Sequence, residues 1–458
     1  MPNTLPPGLL ITWFGDDFTG SAAVMEVLTF SGLPSVLFFD TPTEAQIARF
    51  PAMRAIGIAS TARSHGPEWM IAHLPAPLGF LNSLNAPLLH YKICSTLESS
   101  PSVGNIGHAL DIALTIRPSD AVPILTAAPQ MRRYQAFGHL FAGTFDGVFR
   151  LDRHPVMARH PVTPMGEADV ARHISAQTSL PAGLVDLEAL ATPELADAAL
   201  NRLITQGIRL ISIDSMEANS EAAAGRLIWE NRDRLRLLAG SQGVEYALIR
   251  YWQEAGLLGA QTAPGSAGAA AQIIAVSGSV SPTTAAQIAW SQANGFTAIR
   301  LDAAAACGTS HDLAVAEQQA IAAGIAALSQ GQSPLVLTAA GPDDPAVSAF
   351  RQALTTTQTS AETANQRIGE ALGRVLDQLL RRSGIRRAVI SGGDTSGHGA
   401  RQLGIFALTA LAPTIPGAAL LRAHGDGVHD GLELALKGGQ MGSDDYFGWI
   451  RAGGGARG

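Results

Sequence analysis

Lysine is almost absent from this chain. The 458 residues include 31 lysines and arginines, of which 2 are lysines, Lys92 and Lys437, and the other 29 are arginines. Charged residues make up 15% of the sequence, and the net charge is -7 without a cluster of basic residues. Binding to a nucleic-acid backbone requires a concentrated cationic face, so this composition argues against nucleic acid as a partner. A small anionic ligand needs only two or three local cations and is compatible with the sequence.

Cysteine is equally scarce, and long apolar runs are missing. The two cysteines, Cys94 and Cys307, lie far apart in the sequence and form neither a disulfide framework nor a metal-binding cluster. No stretch approaches the roughly 18 to 20 uninterrupted apolar residues of a membrane span. The N-terminal sequence lacks the basic region of a signal peptide. We therefore expect a cytoplasmic protein that does not bind membranes.

What the sequence does contain is a regular alternation of apolar runs and helical segments. Short apolar runs such as "LLITWF", "AIGIA" and "IIAVSGS" predict buried strands, and the segments between them have helical periodicity. This alternation predicts an α/β fold with two domains, each a mostly parallel sheet flanked by helices, and an interdomain cleft. We place the domains at residues 1–255 and 273–458. The segment 256–272, rich in small residues, is a linker in this interpretation, and an alanine-rich surface loop is the alternative.

Three turns in the second half share one pattern, in which an apolar strand runs into small residues and then into a helix. They are "AVSGSVSPTT", "VISGGDTSG" and "LALKGGQMGS". Small residues allow backbone N–H groups to approach a ligand closely, and a helix N-terminus favours anions, so the three turns together predict a phosphate site. Lys437 would be a compact cation beside that phosphate, unless it is a chance survivor of an arginine-rich composition. A P-loop motif is absent, and G-x-G-x-x-G is absent from these turns.

The first half begins with two adjacent carboxylates in "FGDDFTGSAA", at the end of the first predicted strand. Asp16 or Asp17 could take a proton from a substrate hydroxyl, whereas the alternative makes Asp17 or Thr19 a helix N-cap. Arg63 and Lys92 also follow predicted strands, and we expect the two cations to hold a substrate carboxylate.

Cys94 lies two residues after Lys92, and strand periodicity places Lys92, Cys94 and Thr96 on one face. A nearby cation favours the thiolate, so Cys94 could be a nucleophile. A cysteine hydrolase also needs a positioned base, and no nearby histidine is an obvious partner. We therefore expect Cys94 to select the substrate and not to carry out chemistry.

Taken together, these segments resemble the four-carbon acid sugar kinase family. The matching segments occur in family order over nearly the whole chain: "GDDFTGSA", "STARS", "YKICSTLESSPSVGNIGHALD", "GHLFA", "ARHPVTPM", "VSGSVSPTTAAQI", "SGGDTSGHGARQLGI" and "LALKGGQMGSDDYF". The resemblance implies an N-terminal domain for a sugar acid and a C-terminal domain for the nucleotide. It also implies transfer of the γ-phosphoryl group of ATP, with Mg²⁺, to a hydroxyl of a small sugar acid.

Residue by residue, the resemblance and the patterns above give one set of predicted site residues. The predicted catalytic residues are Asp16 and Asp17, and no metal ligand is assigned. The predicted substrate contacts are Asp16, Arg63, Lys92, Cys94, Ser95 and Thr96. The predicted nucleotide contacts are Ser279, Gly392, Gly393, Asp394, Thr395, Lys437, Gly438 and Gly439.

Two departures from the family pattern concern the substrate half. Cys94 stands where family members commonly have an aspartate, and a cation is missing from "CSTLESSPSVG"; the usual proline-rich Gly-Arg loop is replaced by "TAAPQMRRYQ". These departures favour a branched or oxidised acid such as 3-oxo-isoapionate beside plain tetronates. A nucleotide-binding sensor without catalysis and a Cys94-dependent enzyme that is not a kinase are the alternatives. A homodimer is compatible with the sequence.

Overall fold

A computed structural model describes residues 4–144, 146–160, 162–261 and 264–457. The chain divides into two compact units, Met1–Thr262 and Ala263–Gly458. Each unit contains its own mostly parallel sheet with helices around it, which confirms the predicted α/β class. Within the described ranges, no helix is both long enough and apolar enough to cross a membrane.

The first unit contains eleven labelled strands and nine labelled helices in its described part. The strands are β1 (Ile11–Gly15), β2 (Ser35–Phe38), β3 (Ala55–Ala59), β4 (Leu88–Lys92), β5 (Val122–Leu125), β6 (Arg133–Ala136), β7 (His139–Thr144), β8 (Gly147–Arg150), β9 (Ala182–Val185), β10 (Leu210–Ile213) and β11 (Leu237–Gly240). The helices are α1 (Phe18–Phe30), α2 (Glu44–Ile47), α3 (Pro67–His73), α4 (Pro75–Ser83), α5 (Ile106–Ile116), α6 (Val170–Ser175), α7 (Pro193–Thr205), α8 (Ala218–Glu230) and α9 (Gly243–Glu254).

The main sheet of the first unit has the order β2-β3-β1-β4-β11-β5-β10-β9, and its strands are parallel. Strands β6, β7 and β8 form a small antiparallel sheet. The central strands are buried along their whole length because helices cover both faces of a parallel sheet. This arrangement leaves the carboxyl ends of the strands as the natural place for polar, functional side chains.

The second unit is also built from a mostly parallel sheet with helices around it. Its strands are β12 (Ile274–Ser277), β13 (Phe296–Arg300), β14 (Ser333–Leu337), β15 (Arg387–Ser391), β16 (Ile405–Ala412), β17 (Leu420–Gly425) and β18 (Glu433–Lys437). Its helices are α10 (Pro282–Ala293), α11 (Ser310–Ser329), α12 (Pro345–Thr357), α13 (Ala361–Ser383), α14 (Gly393–Arg401) and α15 (Tyr446–Arg451). The sheet order is β13-β14-β12-β15-β18-β17-β16. The first five strands in this order run parallel to one another, and β17 is antiparallel to both β18 and β16.

Strand β4 is shorter than the sequence pattern indicates. It ends at Lys92, and the following residues form a turn in which the Leu97 N–H donates to the Cys94 carbonyl (3.1 Å). Leu97 has φ +54°, a left-handed conformation outside the β region of regular strands. The prediction that Lys92, Cys94 and Thr96 share one strand face is therefore wrong.

Candidate active site

The predicted substrate residues of the first unit meet at one edge of its main sheet. Gly15, the last residue of β1, pairs in register with Ala59 of β3 and with Lys92 of β4. Lys92 in turn pairs with Gly240 of β11. The Asp16 N–H donates to the Lys92 carbonyl (3.0 Å), and the Arg63 N–H donates to the Asp16 carbonyl (3.0 Å). Backbone hydrogen bonds thus fix three residues from three different segments next to one another.

The guanidinium of Arg63 faces three carboxylates of the chain. Its Nη2 lies 2.7 Å from Oδ1 of Asp16 and 2.8 Å from Oδ1 of Asp17, and Nε donates to Oδ2 of Asp16 (3.3 Å). Its Nη1 lies 3.7 Å from Oε2 of Glu98. Although burial opposes the charged form, Asp16 and the other acids raise the pKa of Arg63 well above its usual value. The first role of Arg63 in this structure is therefore to hold the acidic residues together.

The two adjacent aspartates have different environments. Burial raises the pKa of Asp16, and Arg63 only partly offsets that effect. Asp17 is also affected by burial, but Arg63 and Lys92 outweigh it, so its pKa is lowered. Asp17 is the N-cap of α1: its Oδ1 accepts from the Gly20 N–H (3.0 Å), as the alternative interpretation of the sequence predicted. Asp16 is consequently the better proton acceptor of the pair.

Lys92 is buried at the point where α1 begins. Only 1% of the residue is exposed, and Nζ donates to the carbonyl of Ile93 (2.6 Å). A methyl group on Gly20 would lie 2.5 Å from Nζ and would also clash with Asp17. The absence of a side chain at Gly20 thus allows the ammonium group to approach the first turn of α1, where its charge acts on Asp17.

Glu98 is a member of this cluster that the sequence interpretation missed. Its Oε1 accepts from the Thr96 hydroxyl (3.1 Å) and lies 3.4 Å from Sγ of Cys94. Burial and the charge of Glu98 raise the pKa of Cys94 to about 11, so the thiol stays protonated at neutral pH and is a poor nucleophile. Ser95 is partly buried in the same turn. A signal was present, because Glu98 is the first carboxylate after the turn, but strand periodicity does not extend that far.

The three small-residue turns of the second unit lie side by side. Strands β12, β15 and β18 are neighbours in the sheet, and Ser277, Ser391 and Lys437, the last residues of these strands, are in register. The Gly278 N–H donates to the Ser391 carbonyl (3.0 Å), and the Gly392 N–H donates to the Lys437 carbonyl (2.8 Å). The predicted nucleotide residues after these strands are therefore brought together at one carboxyl edge.

Three glycines of these turns, Gly278, Gly392 and Gly439, leave no room for a side chain. A methyl group on Gly278 would clash with the Thr395 hydroxyl, and one on Gly392 would lie 2.7 Å from the same oxygen. A methyl group on Gly439 would clash with the hydroxyl of Ser279. Gly392 has φ +127°, which only glycine adopts readily, and Gly393 begins α14. The side chain of Asp394 lies outside the described residues.

Lys437 occupies in the second unit the position that Lys92 occupies in the first, the last residue of a central strand. It is fully buried, and Nζ donates to the carbonyls of Gly438 (2.9 Å) and Gly439 (3.4 Å). Burial lowers the pKa of Lys437 to about 7. The hydroxyl of Ser391, next to it in register, is buried without a hydrogen-bond partner among the described residues. An anionic ligand here would favour the charged form of Lys437 and would find an unused donor.

Comparisons with known proteins match a different domain model to each half of the chain. A family model described as a sugar-binding N-terminal domain matches residues 11–248, and one described as a nucleotide-binding C-terminal domain matches residues 274–447. The 3-oxo-isoapionate kinase of Paraburkholderia graminis is 43% identical over 450 residues, covering 98% of this chain and 95% of the relative. The 3-oxo-tetronate kinase of Pseudomonas fluorescens is 30% identical over 443 residues, covering 96% of each chain.

Solved structures show the same fold. One from Salmonella typhimurium LT2 is similar with a TM-score of 0.77 and 27% identity, covering 97% of this chain and 99% of that one. A Haemophilus influenzae protein of the DUF1537 family is similar with a TM-score of 0.69 and 24% identity, covering 96% and 99% of the two chains.

A sugar-binding domain followed by a nucleotide-binding domain, in a chain whose relatives are kinases, indicates a phosphotransferase that acts on a sugar derivative. The chain belongs to the four-carbon acid sugar kinase family, whose members match it over nearly its whole length. The predicted sugar-acid kinase activity is thereby confirmed, and neither the non-catalytic sensor nor the Cys94-dependent enzyme is favoured.

Proposed function

We propose that this kinase phosphorylates a hydroxyl of a branched 3-oxo acid, with 3-oxo-isoapionate as the first candidate and 3-oxo-tetronate as the second. The observation that carries the choice of acid is the 43% identity with a 3-oxo-isoapionate kinase over 98% of the chain. The contacts of Cys94 support it. A thiol that already lies against Thr96 and Glu98 is a weak acceptor for a sugar hydroxyl, which favours a substrate with a carbonyl or a branch at that point.

Asp16 is the proposed proton acceptor for the hydroxyl that is phosphorylated. Its pKa is raised by burial, whereas Asp17 is committed to the N-terminus of α1. Phosphoryl transfer depends mainly on positioning and charge neutralisation, so one accepting carboxylate held by Arg63 is a sufficient contribution from this cluster. The proposed substrate contacts are Asp16, Arg63, Lys92, Cys94, Ser95 and Thr96.

The nucleotide is proposed to bind through the three turns of the second unit. Small residues at these turns allow backbone N–H groups to approach phosphate oxygens closely, and the Ser391 hydroxyl has no hydrogen-bond partner among the described residues. Lys437 would regain its charge beside a phosphate. The proposed contacts are Ser279, Gly392, Gly393, Asp394, Thr395, Lys437, Gly438 and Gly439.

ATP is the proposed phosphoryl donor, together with Mg²⁺. Among the described residues, no group of three or more histidine, cysteine or acidic side chains could hold a metal ion. That observation fits Mg²⁺, which in kinases is held by few carboxylates and largely by phosphate oxygens and water. The ion would neutralise the charge of the polyphosphate.

Several finer predictions stay proposals. These are a substrate domain at residues 1–255, a linker at 256–272, a nucleotide domain at 273–458, a cytoplasmic location and a homodimer. A cytoplasmic location fits the two free cysteines, Cys94 and Cys307, because thiols remain reduced there.

ADP release measured with a panel of acids tests the proposed function. The full-length protein with ATP and MgCl₂ is expected to release ADP with 3-oxo-isoapionate, less efficiently with 3-oxo-tetronate, and least with threonate. Product analysis by mass spectrometry should show one added phosphoryl group on the acid. If ADP release is equal with and without every acid in the panel, the proposed function is wrong.

A further inference from the structure

The two cations predicted to hold the substrate carboxylate are already engaged with the chain itself. Arg63 faces Asp16, Asp17 and Glu98, so its charge is more than balanced. Lys92 donates to the Ile93 carbonyl and lies beside Asp17. An additional anion would meet little uncompensated positive charge at either residue, and the carboxylate of a sugar acid needs another partner.

Arg133 lies at the same edge of the sheet. Its backbone forms two hydrogen bonds with Ala128 (3.0 and 3.1 Å), three residues beyond the end of β5. Leu125, the last residue of β5, pairs with Gly240, which pairs with Lys92. The segment that carries Arg133 is therefore anchored over the carboxyl end of a strand two positions from β4.

The side chain of Arg133 lies on the face of β6 that is turned toward this edge. Arg133 and Gln135 share a face of the strand, and Nε2 of Gln135 donates to Ser212 (2.8 Å) and Asp214 (3.1 Å) at the end of β10. Burial lowers the pKa of Arg133, while Cys94 and Glu98 act on it in the opposite direction. Arg133 is thus close enough to the cluster around Arg63 to be influenced by it.

The described residues provide no counter-ion for Arg133. Within them its Nη1 donates to the main-chain carbonyls of Met131 (3.1 Å), Arg132 (3.3 Å) and Gly143 (3.3 Å). Its Nε is buried without a hydrogen-bond partner, and no carboxylate of the described residues forms an ion pair with it. A partly buried guanidinium that meets only neutral carbonyl oxygens is poorly compensated, so an anionic ligand would find this site favourable.

Two other arginines show that the edge of the sheet at which an arginine lies decides whether it can meet the substrate. Arg117 and Arg209 also have a buried Nε without a partner in the described structure. They lie at the opposite edge of the sheet: Arg209 immediately precedes β10 and donates to Ser119, and Arg117 donates to the carbonyls of Ala86 and Pro87 just before β4. Ligands of parallel sheets bind at the carboxyl ends, so these two residues brace the fold, and Arg133 alone of the three faces the substrate edge.

We propose that Arg133 binds the carboxylate of the sugar acid and sets the preference of the enzyme for acids over neutral sugars. The assignment rests on the proposed function. A planar guanidinium can bind a carboxylate in the bidentate manner that lysine cannot match.

The experiment compares one acid with its neutral carboxamide in Arg133→Met, Arg133→Lys and the control Arg209→Met. For Arg133→Met we expect kcat/KM with the acid to fall by about 10- to 100-fold, while kcat/KM with the carboxamide changes by less than about threefold. Arg133→Lys should retain part of the preference, and Arg209→Met should retain all of it. KM for ATP should stay the same in each variant. The ratio of the two substrates does not depend on the folded fraction, so partial unfolding cannot imitate this result.

An unchanged acid-to-carboxamide ratio in Arg133→Met overturns the proposal. Calorimetry with the acid alone separates this failure from a failure of the proposed function. If the wild type binds the acid and Arg133→Met does not, the assignment stands even when no ADP is released. Equal affinity in both proteins overturns it even when the wild type is an active kinase, and a wild type that binds no acid overturns both.

Discussion

Lys437 provides a pH-dependent test of the nucleotide site. Its ammonium group is buried, and burial lowers its pKa to about 7. In about nine tenths of the ligand-free molecules this side chain is therefore neutral at pH 8, and in about nine tenths it is charged at pH 6. A phosphate beside Lys437 favours the charged form and raises the pKa of the lysine. Nucleotide binding should then take up about 0.9 proton at pH 8 and only about 0.1 proton at pH 6.

The assay is calorimetric titration with ADP at pH 6 and pH 8, each in two buffers that differ in ionisation enthalpy. The phosphates of ADP titrate in the same range, so the informative quantity is the difference in proton uptake between the wild type and Lys437→Met. Lys92→Met is the matched control, because Lys92 has the same position at the end of a buried strand in the other unit. If the variant binds too weakly, the wild-type affinity alone is informative, since it should fall by up to about tenfold per pH unit above pH 7.

The reasoning is refuted if the difference in proton uptake is zero at both pH values or is larger at pH 6. Either result would mean that Lys437 does not change its protonation when the nucleotide binds. The same result in Lys92→Met as in Lys437→Met would show a general effect of the missing lysine on the fold.

Three further predictions follow from the geometry. Asp16→Asn should lower kcat by about 10²- to 10⁴-fold with little change in KM for ATP, because it removes the proposed proton acceptor, and unchanged turnover would exclude that role. Cys94→Ser should keep most of the turnover, whereas Cys94→Asp should lower kcat/KM because it places a second carboxylate beside Glu98. A loss of about a thousandfold in Cys94→Ser would show that the thiol takes part in the reaction. Lys437→Met should make the ligand-free protein more stable at pH 7 by on the order of 4 kcal/mol, because burial lowers the pKa of Lys437 from its ordinary value of 10.5 to about 7 and the unfolded chain therefore binds more protons than the folded one between these pH values. Denaturation at pH 7 and pH 10 should show that the gain shrinks at the higher pH.

The three small-residue turns of the second unit could be located from the sequence because their signals are local. Each turn joins an apolar strand to a helix through small residues, and a parallel sheet places such turns at one edge. The sequence could not show that β12, β15 and β18 are immediate neighbours, since adjacency depends on hydrogen bonds between segments more than 40 residues apart. Nor could it show that Lys437 donates to its own turn.

The substrate half was harder to predict because its contacts cross between loops. Arg63 was a candidate from the sequence, but its pairing with Asp16 and Asp17 depends on the register of β1 with β3, which sequence periodicity does not report. Glu98 was missed because the chain leaves the strand at Lys92 and turns at Leu97 through a positive φ. Side chains beyond such a turn have no face that a period of two can assign.

The burial of both lysines has a practical consequence for chemical labelling. The side chains of Lys92 and Lys437 are 1% and 0% exposed, so the folded protein presents no lysine amine to a reagent such as an N-hydroxysuccinimide ester. Modification of either lysine, read out by peptide mass spectrometry, would then report transient opening of the particular unit that contains it. Each unit carries one such amine, so a single reagent gives two independent reporters of local unfolding.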